Sequence, residues 1–521
     1  MLTAPQPLAM TIDNLTEDAL AVLGGALAPR LRPGDFLALH GDLGAGKTTF
    51  ARALIRAILG RADEEVPSPT FALVQPYQGA RFPISHFDFY RLSAAGEAEE
   101  LGLDDALASG LAIAEWPERL GAHLPADRLD ITLTDGDSAA TRHVALVGRG
   151  SWGARLARFT EVQRFIMETG WEGARQAYVN GDASPRGYTR LTRGQESAKG
   201  QETAILMDWP RAPDGPPVRR GLPYSQIAHL AEDVKPFIAV ARALLASGLA
   251  APRIYAEDAR RGFLLIEDFG DGVFTQLATD GADMLPLYRL AVDALLLLRK
   301  AAPPEAMPVD GGAHRLRAYD REALSIETEL LVDWFLPAIS GAETPSAARE
   351  SFSALWREQF DWLLAQPGGW LLRDYHSPNL VLRPEGEGLA RLGILDFQDA
   401  LYGHPAFNLV SLLQDARLDL PPGLEAELLA YYCERALAAD PGFDEAAFTH
   451  AYRLLGAQRN TKILGIFARL ARRDGKRAYL QHMPRVARYL MSDLQYSSLA
   501  ALKSWYDREL PGDIASLTAR F

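Results

Sequence analysis

At 521 residues, 48% hydrophobic and 23% charged, the chain has a globular make-up and a length of roughly three domains. Disorder, collagen and a disulfide-stapled miniprotein are excluded. One cysteine, Cys433, leaves no intramolecular disulfide and no cysteine metal cage and points to a reducing compartment. The net charge of −13 repels a bare phosphate backbone, so the chain alone is a poor nucleic-acid binder.

The first fifteen residues lack the basic and apolar regions of a signal peptide. The greasiest stretch, Met284 to Leu298, is interrupted by Pro286, Arg289 and Asp293 and is too short to span a bilayer. The expectation is a cytoplasmic protein with no membrane partner. Residues 1–150 alternate short apolar strands with helices. Strands are predicted at Phe36–His40, near Phe71–Tyr77 and Phe82–Phe89, and at Leu111–Ala114, Leu129–Leu133 and His143–Val147. A helix is predicted from Lys47 to Leu59, stopping at Gly60. The pattern is that of an α/β sheet domain.

Glycine-rich Val147–Gly153 has no periodicity and sets a boundary there, between a first domain (1–150) and a second (151–521). Leu156–Thr169 reads as an amphipathic helix, Gln176–Trp209 as strand-rich, Arg211–Pro223 as a loop, and the chain from about Leu290 as mostly helical. The second domain is therefore expected to have two lobes, a small β-rich one (about 151–270) and a helical one (about 271–521).

Two motifs carry chemistry. Gly41-Asp42-Leu43-Gly44-Ala45-Gly46-Lys47-Thr48, followed by Thr49, fits G-x-x-x-x-G-K-[ST] between a predicted strand and a predicted helix. Glycines let successive N–H groups turn toward an anion, and the helix adds the positive end of its dipole. Lys47 is expected on the β- and γ-phosphates and Thr48 on Mg²⁺. Asp88 and Glu115 each end an apolar strand, where a carboxylate would reach the metal or its water; Thr70 fits either a turn or a switch position near the γ-phosphate.

Together GDLGAGKTT (41–49), SPTF (68–71), HFDFYRL (86–92) and AEWPE (114–118) resemble the TsaE family, the ATPase subunit of the bacterial tRNA N6-threonylcarbamoyladenosine machinery. The resemblance spans residues 8 to 148. It implies ATP and Mg²⁺ binding, slow ATP hydrolysis, and partnership with threonylcarbamoyl-transfer subunits of the TsaB and TsaD type, tRNA being engaged only indirectly. By position it puts Lys47 on phosphate, Thr48 and Glu115 on magnesium, and Trp116 beside the nucleotide. Asp88 lies there too and is the candidate catalytic carboxylate.

The second motif is Arg373-Asp374-Tyr375-His376-Ser377-Pro378-Asn379 with Leu395-Asp396-Phe397. An Asp, an Asn five positions on and an Asp leaving an apolar strand form the kinase arrangement. Asp374 would take the acceptor hydroxyl's proton, while Asn379 and Asp396 would hold metal. Gly262–Gly270, which contains Glu267, reads as the connector between lobes, where adenine would meet backbone groups. Ser184, Arg186 and Arg190 lie where a phosphate-covering loop belongs. Met207 and Asp208 stand where protein kinases keep a phosphate-binding lysine; Arg186, Arg190 and Lys199 are the candidate replacements.

SPRGYTRL (184–191), ILMDWP (205–210), RDYHSPNL (373–380), LDFQDALYGHPAFNLVSLLQDAR (395–417) and RNTKILGIFARL (459–470) resemble the aminoglycoside phosphotransferase-like kinases. Among these the segments look closest to the AmgK family of N-acetylmuramate and N-acetylglucosamine 1-kinases of cell-wall recycling. The resemblance covers about residues 158 to 510 and implies γ-phosphoryl transfer from ATP to the C1 hydroxyl of an N-acetylated amino sugar. The expected fold is an α/β P-loop NTPase domain followed by a two-lobed α+β protein-kinase-like domain. Tyr402–Asp415 and Arg459–Arg485 are expected to wall the acceptor pocket; His404, Asn408 and Asp415 fit caps or core polar groups better than ligands. Cys433 reads as a small core hydrophobe. The rival readings are another acceptor (an aminoglycoside, choline or homoserine) and a non-catalytic assembly module.

Overall fold

A computed structural model describes residues 9–92, 94, 96–179, 186–194, 200–510 and 516. The chain folds into two compact units. One comprises the chain up to Pro210 together with Tyr255–Asp268; the other comprises Arg211–Ile254 and the chain from Phe269.

The first unit opens with a seven-stranded sheet of β1 (Ala9–Leu15), β2 (Phe36–His40), β3 (Val74–Gln78), β4 (Pro83–Asp88), β5 (Leu111–Glu115), β6 (Arg128–Asp135) and β7 (Arg142–Arg149), in the order β1-β7-β6-β2-β5-β4-β3. Strands β4, β5, β2 and β6 run parallel. β2 and β5 are apolar almost throughout and buried on both faces, as central parallel strands require. Helix α1 (Glu17–Leu27) packs on α2 (Lys47–Leu59) so closely that a Cβ on Gly24 would come within 3.2 Å of the Leu54 nitrogen. Helix α2 ends at Gly60 in the left-handed conformation (φ 66°) that glycine supplies without steric cost.

The Val147–Gly153 segment is not an irregular linker. Strand β7 runs to Arg149, Gly150 turns the chain at φ 58°, and helix α3 (Trp152–Glu168) begins three residues later than the strand ends. This helix belongs to two cores. Trp152, Leu156 and Phe159 pack into the core of the seven-stranded sheet. Val162, Phe165 and Ile166 pack into that of a second, five-stranded sheet. That sheet consists of β8 (Arg175–Tyr178), β9 (Gly187–Arg193), β10 (Glu202–Asp208), β11 (Ile254–Asp258) and β12 (Phe263–Glu267), in the order β11-β12-β10-β9-β8. Polar contacts run along the same seam. Arg155 pairs with buried Asp35, Arg158 with Asp208, and Arg81 hydrogen-bonds the Ala28 and Leu31 carbonyls while lying over the Tyr178 ring. The P-loop domain and the small β lobe are thus one packed body.

The second unit is helical earlier than Leu290, with α4 (Lys235–Ala246) and α5 (Met284–Lys300), followed by α6 (Arg321–Leu330) and the long α7 (Glu445–Arg473). Short apolar runs add two antiparallel pairs: β13 (Gly369–Leu371) with β16 (Leu401–Gly403), and β14 (Leu380–Leu382) with β15 (Leu392–Ile394). The expected loop Arg211–Pro223 contains a small hairpin, Pro217–Arg219 against Leu222–Pro223, because Gly221 at φ 77° allows the reversal. Among the described residues no helix is long and apolar enough to cross a membrane.

Candidate functional sites

The P-loop leaves β2 and enters α2. Gly41, Gly44 and Gly46 have φ of 138°, 79° and 98°, which only glycine adopts freely, and a Cβ at Gly41 would run into the Leu133 carbonyl. Register then assembles the rest: Asp88 and Glu115 are opposite one another on parallel β4 and β5, and Leu39 on β2 is opposite Glu115. Thr48 Oγ1 donates to Glu115 Oε1 at 2.8 Å, and His86 Nε2 lies 3.1 Å from the same oxygen. Asp88 accepts from Thr70 Oγ1 at 2.7 Å and from the Tyr90 N–H at 3.0 Å. Thr70 therefore faces the site from a turn; the strand expected from Phe71 starts only at Val74, since Leu73 turns the chain at φ 64°.

Lys47, buried, donates to the Gly41 and Asp42 carbonyls at 2.7 and 2.9 Å and lies 3.9 Å from the Trp116 ring centre. Burial lowers its pKa, against the pull of Glu115 and Asp88. Lys47, Thr48, Thr70, Asp88, Glu115 and Trp116 line a cavity of about 310 Å³ together with Leu43, Thr49 and Ser68. The chemistry fits a nucleotide: amides and an ammonium for phosphates, and a hydroxyl with carboxylates, hard oxygen donors suited to Mg²⁺. Sequence reasoning quoted His86 without a role; its fully buried ring fixes Glu115.

In the second unit, pairing of β14 with β15 brings the catalytic-loop motif and the Asp396 motif together: Leu380 is opposite Ile394, and the Leu395 N–H donates to the Asn379 carbonyl at 2.8 Å. Asn379 Nδ2 donates to the Asp374 carbonyl at 2.9 Å, closing the loop. Asp396 stands at φ 55° and accepts from Gln398 Nε2 at 2.9 Å. Such non-glycine outliers persist only where surrounding structure enforces them, and functional sites concentrate them.

The enforcing structure here was not anticipated from sequence. Arg373, at φ 69° immediately before Asp374, is buried and bonds the Ala228 carbonyl at 2.7 Å and the Glu327 carboxylate. Glu327, fully buried on α6, also accepts from Tyr319 and Gln458 and pairs with Lys462 of α7 at 2.9 Å. Burial raises its pKa, but Lys462 and Arg373 outweigh that and hold it at about 2. The one available signal was an acid on the apolar face of an amphipathic helix, between Ile326 and Thr328.

Arg190 pairs with Asp268 at 2.7 Å, Arg186 lies 5.1 Å from the Trp209 ring centre, and Glu267 ends β12 opposite Ala204. Asp208, at the place of the missing lysine, is held by Arg158. Ser184 and Lys199 lie outside the described residues. Asn408 is a buried brace between the Leu372 N–H and the Trp370 carbonyl. Asp415 is buried and braces Ser377; burial raises its pKa, but His376 and Ser377 hold it below the usual carboxylate range. His404 is half-buried, and desolvation pulls its pKa down to about 4. The Cys433 thiol is buried and pushed up to about 11, so it is no nucleophile at neutral pH.

Comparison with known proteins agrees with both halves. A model described as threonylcarbamoyl adenosine biosynthesis protein TsaE matches residues 15–144, and one described as phosphotransferase enzyme family matches 175–448. An N-acetylmuramate/N-acetylglucosamine kinase of Caulobacter vibrioides is 39% identical over 356 residues, 67% of this chain and 95% of that protein. A protein of the same name from Pseudomonas aeruginosa is 34% identical over 63% of this chain and 86% of its own length. A tRNA threonylcarbamoyladenosine biosynthesis protein TsaE of Rickettsia conorii is 39% identical over 118 residues, 23% of this chain and 67% of that protein. The fold is a P-loop domain followed by a protein-kinase-like one, and both families use ATP. The chain is therefore an ATP-using enzyme that carries a TsaE domain in its N-terminal part and belongs, through more than half of its length, to the phosphotransferase enzyme family.

Proposed function

We propose that the C-terminal half phosphorylates the anomeric hydroxyl of N-acetylmuramate and N-acetylglucosamine in cell-wall recycling. In the same reading the N-terminal domain hydrolyses ATP in support of threonylcarbamoyladenosine formation at position 37 of tRNA. The observation that carries the kinase reading is the union of Asp374, Asn379 and Asp396 through the Asn379–Asp374 and Leu395–Asn379 hydrogen bonds. The sugar rests on the names of relatives 39% and 34% identical.

Asp374 takes the proton of the C1 hydroxyl as its oxygen bonds to the γ-phosphorus and the bond to ADP breaks. Asn379 and Asp396 would hold Mg²⁺ through an amide and a carboxylate oxygen, and Thr48 with Glu115 would do so in the first domain. Bound there, the metal neutralises charge on the phosphates. In the P-loop domain Asp88, held by Thr70, orients the attacking water. Leu43 and Phe71, 83% and 84% exposed near that pocket, offer an apolar landing for threonylcarbamoyl-transfer subunits of the TsaB and TsaD type, which would grip the tRNA in the cytoplasm.

An acceptor screen of the full chain with ATP tests the assignment, with product identified as a sugar 1-phosphate. Turnover of an aminoglycoside, choline or homoserine instead, or of no acceptor at all, overturns it.

A further inference from the structure

Helix α7 carries a buried cation that the catalytic loop leaves unused. Arg459 is 6% exposed and has no ion-pair partner among the described residues. Its Nη1 donates to the Gln414 carbonyl at 3.1 Å; its Nε and Nη2 make no hydrogen bond among the described residues and are not shut off from solvent. Buried charges are normally paired, because desolvation without a counter-charge is costly. Two other cations of the same helix follow that rule: Arg453 pairs with Asp493 at 3.1 Å and Lys462 with Glu327 at 2.9 Å. The free Nε–Nη2 edge of Arg459 is the planar fork that grips a carboxylate or phosphate by two hydrogen bonds. It is a provision for an anion that arrives from outside.

The bonds around Arg459 place it beside the base. Ser411, on the helix Ala406–Leu413, donates at 3.1 Å to the carbonyl of Arg373, the peptide that leads into Asp374. Gln414 comes three residues later, so one helix end holds both the Asp374 peptide and the Arg459 guanidinium. Asp415, the next residue, braces Ser377 of the catalytic loop. From α7 itself, Gln458 and Lys462 on either side of Arg459 bond the Glu327 carboxylate that holds Arg373. Burial lowers the pKa of Arg459 against the pull of Asp415 and Asp374, so the base lies within its electrostatic reach. The bond that fixes Arg459 goes to Gln414 and not to Asn379 or Asp396, the residues assigned to the metal and hence to the phosphates. The anion that fits is therefore one carried by the acceptor.

We propose that Arg459 binds the lactyl carboxylate of N-acetylmuramate through its Nε–Nη2 edge while the C1 hydroxyl of the same sugar meets Asp374. The inference rests on the amino-sugar kinase reading above. Arg459 is then a specificity residue. It contributes to one substrate and not the other, because a hydrogen bond to an ion is worth about ten- to a hundredfold in affinity and N-acetylglucosamine offers no ion.

The test is steady-state kinetics of the full chain on N-acetylmuramate, its carboxyl methyl ester and N-acetylglucosamine, for the wild type, Arg459→Met and Arg459→Lys. In the wild type the ester is expected to fall about ten- to a hundredfold below the free acid in kcat/KM, mostly through KM. Arg459→Met should cost N-acetylmuramate the same factor and leave the ester and N-acetylglucosamine within about twofold, while Arg459→Lys restores part of the loss. Activity on the two uncharged acceptors reports that the variant is folded. An equal loss on all three acceptors, the outcome if Arg459 serves the transferred phosphoryl group or only holds Gln414, overturns the assignment while the kinase reading stands. So does a wild type that treats acid and ester alike, or an Arg459→Met variant with no loss on the acid. Should Arg459→Met not fold, Arg459→Lys decides: an acid-to-ester ratio equal to that of the wild type overturns the assignment, and a smaller one supports it. Failure of the wild type to phosphorylate either sugar overturns the kinase reading itself.

Discussion

The two nucleotide-using sites are built from different materials. The P-loop site is mostly backbone: three glycines at positive φ, a helix start, and carboxylates delivered by the ends of neighbouring parallel strands. Its parts fall within residues 41–116. The kinase site is mostly side chains on strained backbone. Its reactive residues fall within 374–396, yet the group that fixes them, Glu327 with Lys462 and Tyr319, comes from helices and loops far away in sequence. A site made of amides advertises itself locally, since glycine spacing and strand ends are local facts. A site made of oriented side chains depends on buried partners that no spacing rule reports.

The contrast breaks most sharply at Asp374. Asp374→Asn should lower sugar phosphorylation by about 10²–10⁴, the usual general-base contribution, while ATP hydrolysis by the P-loop domain is unchanged; parallel steady-state assays measure both, and a small loss would remove Asp374 from its role. Next is the seam between modules. Phe159 is 1% exposed in the core that α3 shares with the P-loop sheet, so Phe159→Ala should cost about 3–5 kcal/mol in denaturant unfolding of the first unit. By the same argument, a fragment beginning near residue 154 would leave Leu156 and Phe159 without their core and should unfold more readily than the full chain.

A smaller effect is expected at Glu327. Its folded pKa of about 2 lies below the ordinary value of 4.5, so its stabilisation is complete above about pH 4.5 and is lost as the pH falls toward 2. The shift corresponds to about 3 kcal/mol. Glu327→Gln should therefore lower stability by about that much at neutral pH and flatten the acid limb of its stability profile, as measured by urea titration from pH 7 to 3. The smallest concerns Asp208, whose pair with Arg158 is partly exposed. Asp208→Asn should cost about 1 kcal/mol and leave KM for ATP unaltered; a raised KM would move this pair from the seam into the nucleotide site.

Much of the architecture was legible beforehand. Strand β2, helix α2 and its Gly60 stop follow from hydrophobic runs and glycine chemistry, and the Asp374, Asn379 and Asp396 spacing announced its own chemistry. Helix α3 was read four residues short, because Trp152 and Gly153 sit in a glycine-rich run whose local preference is for a turn, and packing against two sheets prevailed. Arg190, a candidate phosphate ligand from its place in the chain, is paired with Asp268, a partner 78 residues away.

By itself the amino-acid sequence determined that two phosphate-handling motifs share one chain, since glycine flexibility, apolar periodicity and the types of catalytic side chain are local properties. Only the tertiary structure decided that one helix serves two cores, that Glu327 anchors the catalytic loop, and which buried polar atoms are left without partners. Those depend on long-range packing and desolvation, where the energy of a side chain is set by neighbours that the chain brings together only when folded.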